Sequence, residues 1–306
     1  MSTRAEIGAT VRSETEIEDS CIIRTNWGAV DTRSHGDRWF HTGLGGNRRS
    51  CCIFDLVQRR SEEIEALLTL YSDQVVVLRS WKLGESDRIV SMYGAQNGKI
   101  RAVAKGARKT KSKFGGRIEP ISFLNVQIWK GNSELHILNQ ADSIELFPST
   151  KGDFEKLRKA LAIVEVVDEL VGESDGDFDI FRLLVRVLGQ LEKDDSPFIL
   201  GAFLWRLLQI QGVAPDLSLC MECGSTEGIN YLSPDGSGIL CEVHRGGRFI
   251  DDEVRHLIEM ALGGEVSRLL IFDDLVARVR FEEVAIELVE NLIAHRVKAL
   301  HIDSQY

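Results

Sequence analysis

Residues 99–129 have the sequence KIRAVAKGARKTKSKFGGRIEPISFLNVQIW, in which two apolar stretches flank a basic one. In the second apolar stretch, 121–129, Leu124, Val126 and Ile128 alternate with polar residues. Alternation with a period of two is typical of a β-strand that buries one face. The segment therefore predicts two strands joined by a long basic loop.

Further strand signals lie on both sides of this segment. Apolar runs occur at VVVL (75–78), RIVSMY (88–93) and ELHILNQADSIEL (134–146), separated by the turn signals AQNG (95–98) and KGNS (130–133). Five or so strands within about seventy-five residues, joined by hairpin turns, predict a small barrel. The basic stretch is then a long loop on the rim of that barrel.

The basic stretch has the opposite charge to the chain as a whole. The net charge is -10, yet Lys99 to Arg117 holds eight basic residues and no acidic one, which leaves -18 (-10 minus 8) elsewhere. Such a local field usually marks a polyanion site. The alternative is a solvated loop that only keeps the protein soluble. The candidate nucleic-acid-binding residues are Lys99, Arg101, Lys105, Arg108, Lys109, Lys111, Lys113, Phe114 and Arg117.

Aromatic residues near the basic stretch have two possible roles. Phe114 lies between Lys113 and Gly115, so its ring either stacks on a base or anchors the loop to the barrel as a plug. Both alternatives stay open at this point. We expect Trp81 and Trp129 to pack against the protein rather than to stack on bases.

After Pro148 the apolar period becomes helical. The predicted helices cover about 153–171, 178–191, 197–212 and 281–300, with one or two more after Asp251. Asp153, Asp177 and Ser196 stand where N-cap residues are expected. With the barrel before them, these helices predict an α+β fold.

Two pairs of metal-ligand residues follow the third predicted helix. Cys220-Met-Glu-Cys223 is separated by seventeen residues from Cys241-Glu-Val-His244. Two such pairs at this separation are typical of a tetrahedral zinc site, and four protein ligands leave no position for water. We therefore expect one structural Zn²⁺ bound by these four residues. The alternatives are reduced cysteines without a metal, or a site in which His244 is a bystander.

The first seventy residues differ from the rest. No lysine precedes Lys82, and segments such as HTGLGGNRRS show no sustained period. We expect poor order to about Gln58 and a short helix over 61–71. One hypothesis is that this segment stems from a start codon assigned too far upstream. No apolar run of membrane-spanning length and no signal pattern occurs, so we expect a cytoplasmic chain with reduced cysteines.

Motifs of the common enzyme classes are missing from the sequence. It has no GxxxxGK[ST], GxGxxG, GxSxG or HExxH segment. The aspartate pairs at 194–195, 251–252 and 273–274 suit helix capping better than acid–base catalysis. We expect a nucleic-acid-binding protein that is not an enzyme. The competing hypotheses are a zinc-containing interaction scaffold, whose basic loop binds an acidic partner tail, and a zinc hydrolase.

Three separated segments resemble the RecO family of bacterial recombination mediators. The first contains GE-x-D-x-I-V at 84–90 and the basic KGAR-x-x-KS loop at 105–112. The second, LLQIQGVAPDLSLCMECG (207–224), is similar to the helix end and G-x-x-P-D-L signature that precede the family's zinc knuckle. The third is HRVKALHI (295–302). The resemblance covers all but about the first seventy residues.

The resemblance implies a domain plan. An OB-fold barrel would occupy 71–148, and a helical domain with a zinc-binding insertion at 216–248 would occupy 149–306. The segment 1–70 has no counterpart in the family. Many zinc-bearing members use four cysteines, whereas this chain has His244 at the fourth position.

The resemblance also implies a function and its partners. Members bind single- and double-stranded DNA, anneal complementary strands and help to load RecA onto strands coated with single-strand-binding protein. The implied partners are RecR, RecF through RecR, the tail of the single-strand-binding protein, and RecA indirectly. A protein of this kind is expected in the cytoplasm at the nucleoid.

Overall fold

The computed structural model describes residues 70–130, 135–172 and 176–301. The predictions for the first seventy residues fall almost wholly outside these ranges, including the poor order and most of the helix expected over 61–71. Its last two residues, Leu70 and Tyr71, begin a strand instead.

Five strands form a closed barrel, which confirms the predicted fold of the first domain. They are β1 (Leu70–Leu83), β2 (Asp87–Gly94), β3 (Gly98–Ala104), β4 (Phe123–Trp129) and β5 (Leu135–Glu145). The order around the barrel is β1-β2-β3-β5-β4. All neighbours are antiparallel except β3 and β5. This is the strand order of an OB-fold, a five-stranded Greek-key barrel.

Alternating side chains fill the inside of the barrel. Leu124, Val126 and Ile128 are buried there, as their period predicted, and they pack with Val75 and Val77 of β1. A β-bulge follows Val77, where the register against β2 shifts. Bulges bend the strand and re-aim side chains. Which side chains of β1 face outward therefore depends on this bulge as well as on the simple alternation.

Helices and a small sheet make up the rest of the chain. The helices are α1 (Pro148–Gly152), α2 (Phe154–Leu170), α3 (Phe178–Lys193), α4 (Ile199–Ile210), α5 (Asp252–Leu262), α6 (Val266–Leu269) and α7 (Leu275–Ile293), followed by a 3-10 helix (Lys298–His301). The inserted strands, in the order β6-β8-β7-β9, are β6 (Asp216–Cys220), β7 (Ile229–Leu232), β8 (Gly238–Cys241) and β9 (Arg248–Phe249). Within the described ranges, no helix has both the length and the apolarity needed to span a bilayer.

Helix starts follow the predicted aspartate caps, Ser196 does not act as a cap, and the last helix starts earlier than predicted. The carboxylates of Asp153 and Asp177 accept hydrogen bonds from first-turn N–H groups of α2 and α3. Ser196 is no cap, because its hydroxyl donates to the carbonyl oxygen of Leu270 (3.0 Å) and α4 begins at Ile199. The last helix starts at Leu275 rather than near residue 281, because the Asp274 carboxylate accepts from two N–H groups there.

The barrel packs against the helical region through a mixed interface. Outward-facing Val76 and Leu78 of β1 belong to the same apolar cluster as the helices. The barrel and helical region lie in one compact unit of the chain. The centre of the polar contact is Asp168 of α2, which accepts from the Ser91 hydroxyl (2.6 Å) and pairs with Lys99 Nζ (3.4 Å). The Lys99 and Asp168 side chains are only 7% and 9% exposed.

We predict that Asp168→Ala lowers the free energy of unfolding by about 3–5 kcal/mol, because it leaves the buried Lys99 ammonium unpaired. Adding Lys99→Met should recover part of this loss, since no buried charge then remains. Urea unfolding followed by circular dichroism measures both. The control is Glu169→Ala, whose partly exposed ion pair with Arg79 should contribute less than about 1 kcal/mol. A loss for Asp168→Ala no larger than the control would contradict the prediction.

Candidate metal centre and nucleic-acid interface

The four predicted metal-ligating residues come together at one end of the inserted sheet. Cys220 ends β6 and Cys241 ends β8, and the parallel pairing of these strands brings the two thiols close. Tight turns add Cys223 and His244. The ligand atoms of all four lie within 4.8 Å of one another. Gly224, with φ 71, donates its N–H to the Cys220 carbonyl oxygen (2.8 Å) and closes the first turn.

The spacing of these atoms fits a tetrahedral zinc ion. With Zn–S bonds of about 2.3 Å, tetrahedral geometry places two sulfur ligands about 3.8 Å apart. Cys223 Sγ and Cys241 Sγ are 3.8 Å apart, and His244 Nδ1 lies 3.8 Å from Cys220 Sγ and 3.4 Å from Cys241 Sγ. The donor set of three thiols and an imidazole is one that zinc prefers. These residues can therefore hold a metal ion without rearrangement.

Backbone N–H groups aimed at the sulfurs favour the thiolate, which is the form that binds a metal. Burial disfavours ionisation of the Cys220 thiol, but N–H groups of Cys223, Cys241 and Glu222 outweigh it and lower its pKa to about 6. Hydrogen bonding to the Cys241 and Cys220 sulfurs raises the pKa of His244. The lowered pKa values of Cys220 and Cys241 thus favour thiolates, which a metal cation can bind, whereas the pKa of Cys223 is raised by desolvation and its neighbouring thiols.

The metal-ligand sheet is fixed to the helical region on its other side. Arg248 of β9 pairs with Glu283 (3.0 Å) and Glu287 on α7. At the turn before β8, a Cβ added to Gly236 would lie 2.2 Å from the Leu288 side chain. The turn and α7 are therefore in close contact, and the sheet is part of the helical core rather than an appendage.

The basic loop connects β3 to β4 and closes one end of the barrel. Phe114 and Ile118 are each only 1% exposed and belong to the barrel core. Phe114 is thus a plug, and the base-stacking interpretation of its ring is wrong in this structure. Residues of the barrel strands, which are distant in sequence, surround the Phe114 ring, so the local sequence alone could not show that it is buried. The Lys113 ammonium lies 5.2 Å from the centre of the Phe114 ring.

The loop cations lie at the surface of this plug. Lys105, Arg108, Lys109, Lys111, Lys113 and Arg117 are all exposed. Three of them contact the backbone nearby. The Arg108 guanidinium donates to Gly84 O (2.9 Å), Lys113 Nζ donates to Asn139 O, and the Arg117 guanidinium donates to Lys113 O (3.0 Å). Carbonyl contacts orient these side chains and leave their positive charge uncompensated.

Lys99 does not join this surface. Its side chain is buried against Asp168, so the expectation that Lys99 contacts a polyanion is wrong. The alternation of β3 directs Lys99 toward α2, where a carboxylate balances its charge. Arg101, two residues along the same strand, is exposed on the outside of the barrel.

Sequence reasoning missed the role of Asp87. The Gly106 N–H donates to the Asp87 carboxylate (2.8 Å), and so does the Ser86 hydroxyl (2.9 Å). These bonds, the Gly106 bond above all, hold the pKa of Asp87 below its usual range, with help from Lys105. Asp87 thus fixes the point where the basic loop leaves the barrel. The sequence feature that could have indicated this role is the position of Asp87 in the GE-x-D-x-I-V segment at 84–90.

The two barrel tryptophans are more exposed than expected. Trp81 is 37% exposed near the end of β1, and Trp129 is 43% exposed at the end of β4. Each tryptophan therefore packs against the protein over most of its surface and leaves the remainder to solvent. Large exposed aromatics beside a cationic loop are typical components of single-strand binding surfaces.

Comparisons with known proteins give family matches over both the barrel and the region that contains the metal-ligand sheet. Residues 68–147 match the family described as Recombination protein O N terminal, and residues 151–298 match Recombination protein O C terminal. The chain is similar to the DNA repair protein RecO of Bifidobacterium longum subsp. infantis, with 38% identity over 200 residues, covering 64% of this chain and 81% of that protein. It is also similar to the DNA repair protein RecO of Cutibacterium acnes, with 37% identity over 179 residues, 56% of this chain and 72% of that protein.

We predict that the purified chain binds about one metal ion and that Cys223→Ser abolishes this binding, because three ligands leave the tetrahedron incomplete. Elemental analysis by mass spectrometry measures the stoichiometry. Cys21→Ser is the matched control, since Cys21 is not one of the four assigned ligands, and it should retain the metal. Equal metal content in both variants would contradict the assignment of these four ligands.

We predict that Phe114→Ala lowers the free energy of unfolding by about 3–5 kcal/mol, because it leaves a cavity in the barrel core. Phe114→Leu should cost less, since leucine fills more of the same space. Thermal and urea unfolding measure both variants. If Phe114→Ala kept wild-type stability and only weakened oligonucleotide binding, the ring would be a binding residue and not a plug.

Proposed function

Because the chain belongs to the RecO family of DNA repair proteins, we propose that it is a recombination mediator. It binds single- and double-stranded DNA and anneals complementary strands. It also helps to load RecA onto strands coated with single-strand-binding protein.

The observation that carries the DNA-binding proposal is the cationic surface on the barrel rim. The exposed loop cations and Arg101 stand on a chain whose net charge is -10. The acidic remainder repels a polyanion, so this surface is the favoured place of approach. Lysine and arginine held this way contact phosphates without identifying bases. This fits a protein that binds DNA of any sequence.

Annealing requires no catalytic residue. Two complementary strands repel each other through their phosphates, and a surface that neutralises part of that charge raises their rate of encounter. The loop contributes lysines, which act as mobile point charges, and Arg108 and Arg117, whose guanidinium groups fit two phosphate oxygens at once. The bases remain free to pair when the cations hold only the backbone.

We propose that the metal centre binds one structural Zn²⁺. When bound, zinc would supply a fixed tetrahedral link between the ends of β6 and β8. Cys220, Cys223, Cys241 and His244 would occupy all four positions, which leaves no open position for a reacting water. This arrangement favours a structural role over the zinc hydrolase hypothesis.

We propose RecR, RecF through RecR, RecA indirectly, and the tail of the single-strand-binding protein as partners, with the protein at the nucleoid in the cytoplasm. The tail proposal is supported by a groove of about 690 Å³ between α3, α4 and α6. Arg182, Arg186 and Arg206 line it together with apolar Leu183 and Phe203. Arginines beside apolar side chains suit an acidic peptide with an apolar end.

We predict that replacing Lys109, Lys111 and Lys113 by alanine weakens binding to an unstructured oligonucleotide of any sequence. If about five loop cations contact phosphates, log K falls against log salt with a slope near -3.5, and the triple variant should flatten it by about 2. Fluorescence anisotropy at several salt concentrations measures the slope.

The control variant replaces Arg182, Arg186 and Lys193 by alanine, which removes three exposed positive charges from α3. Its salt slope should equal that of the wild type. An unchanged slope in the loop variant would refute the proposed DNA surface. If the loop variant instead lost binding to an acidic peptide only, the interaction-scaffold hypothesis would replace it.

A further inference from the structure

A row of five apolar side chains crosses the outside of the barrel from one tryptophan to the other. Each member lies directly opposite the next in the strand pairing, across β1, β2, β3, β5 and β4 in turn. We call these residues the apolar row: Trp81, Ile89, Val103, Ile137 and Trp129.

The strand alternation directs the apolar row outward. The chain neighbours Val90, Ala102 and Leu138 face the barrel core, which leaves Ile89, Val103 and Ile137 on the other side. Among the described residues, no member of the apolar row belongs to either of the two hydrophobic clusters that form the interior. The apolar row is therefore a surface feature and not an edge of the core.

The dimensions of the apolar row suit an extended ligand. Neighbouring strands lie about 4.8 Å apart, so the four steps from Trp81 to Trp129 follow about 19 Å of barrel surface. A tryptophan stands at each end, and smaller β-branched side chains lie between. The two tryptophans are exposed and the three side chains between them are half-buried. A contiguous apolar surface of this kind is a candidate binding site.

Positive charge accompanies the apolar row along its length. Arg101 lies on the same face of β3 as Val103, Lys105 follows the end of that strand, and both are exposed. The turn after β1, close to Trp81, is joined to the basic loop by the bond from Arg108 to Gly84. A ligand on the row therefore has cations within reach on both sides.

A ligand that matches this surface has planar apolar faces on an anionic backbone. Single-stranded nucleic acid has both features, because its unpaired bases expose their faces and its phosphates are charged. In a duplex the base faces are covered by stacking. An acidic peptide satisfies the cations but supplies no regular series of flat rings.

We propose that bases of a single-stranded nucleic acid stack on Trp81 and Trp129 at the two ends of the apolar row, while its phosphates contact the flanking cations. This inference rests on the proposed DNA-binding function and adds to it the residues that distinguish a single strand from a duplex. The basic loop then supplies charge to both forms, and the apolar row supplies contacts to the single strand alone.

The test uses the full chain with a fluorescein-labelled oligothymidine of about 20 nucleotides, which exceeds the site of one OB-fold. Trp81→Ala and Trp129→Ala should each weaken binding by about 5- to 150-fold, the loss of one stacked base. The salt slope should stay at the wild-type value, because stacking releases no counterions. Binding to a blunt duplex should change less than about 2-fold.

Three controls separate stacking from damage to the barrel. Trp81→Phe and Trp129→Phe keep a flat ring and should retain most of the affinity. Ile144→Ala removes an apolar side chain of similar exposure (45%) on β5, outside the apolar row, and should have no effect. Unfolding temperatures of all variants should match the wild type within a few degrees, since these side chains lie outside the cores.

Two results would overturn the inference. One is wild-type affinity for oligothymidine in both alanine variants. The other is an equal loss for the single strand and the duplex. If the alanine variants bind normally while the loop triple variant loses binding, the stacking inference fails and the proposed DNA-binding function stands. If the loop variant also binds normally, both fail.

Discussion

The burial of Phe114 and Ile118 in the barrel core holds the basic loop in place. Repulsion among the cations of this loop favours a more open conformation. Two unit charges 4 Å apart in water repel by about 1 kcal/mol, and salt screens them beyond roughly 8–10 Å. Burying one large apolar side chain contributes about 1.5–3 kcal/mol. Two such side chains contribute about 3–6 kcal/mol that opposes the repulsion among the exposed cations of the loop. The loop can therefore concentrate positive charge and still have a defined position.

Part of the outer face of the barrel packs against the helices and part is exposed to solvent. The bulge in β1 lies at the boundary between the two parts. Before the bulge, Val76 faces the helices and contributes to their core. After it, Arg79 and Trp81 share the outward side, where Arg79 pairs with Glu169 and Asp168. The ion pairs of Arg79 lie at the edge of the surface that the helices cover. Trp81, the next outward-facing residue of β1, begins the apolar row. The extra residue at the bulge thus directs Arg79 and Trp81 outward rather than into the barrel.

Features set by near neighbours were predictable from sequence, and features set by distant pairing were not. The alternation of β4 and the caps Asp153 and Asp177 depend on residues within one turn or strand. The metal ligands come in two short pairs, so their spacing alone indicated the site. The charge of the basic segment predicted a polyanion site, and resemblance to a known family supplied the name of the barrel fold and made DNA the expected polyanion.

The wrong expectations concern side chains whose surroundings come from elsewhere in the chain. Lys99 is basic in a basic segment, but its neighbour in space is Asp168 of a helix sixty-nine residues later. Phe114 looks equally suited to a base or to a core until the barrel closes around it. For the tryptophans, exposure depends on which strands the helices cover. On the proposed binding surface, two kinds of force would act at different ranges. Charge would attract any nucleic acid and would be weakened by salt, whereas ring contacts would act only on unpaired bases and would be insensitive to salt. A surface that combines charge and ring contacts would bind single- and double-stranded DNA and still favour the single strand.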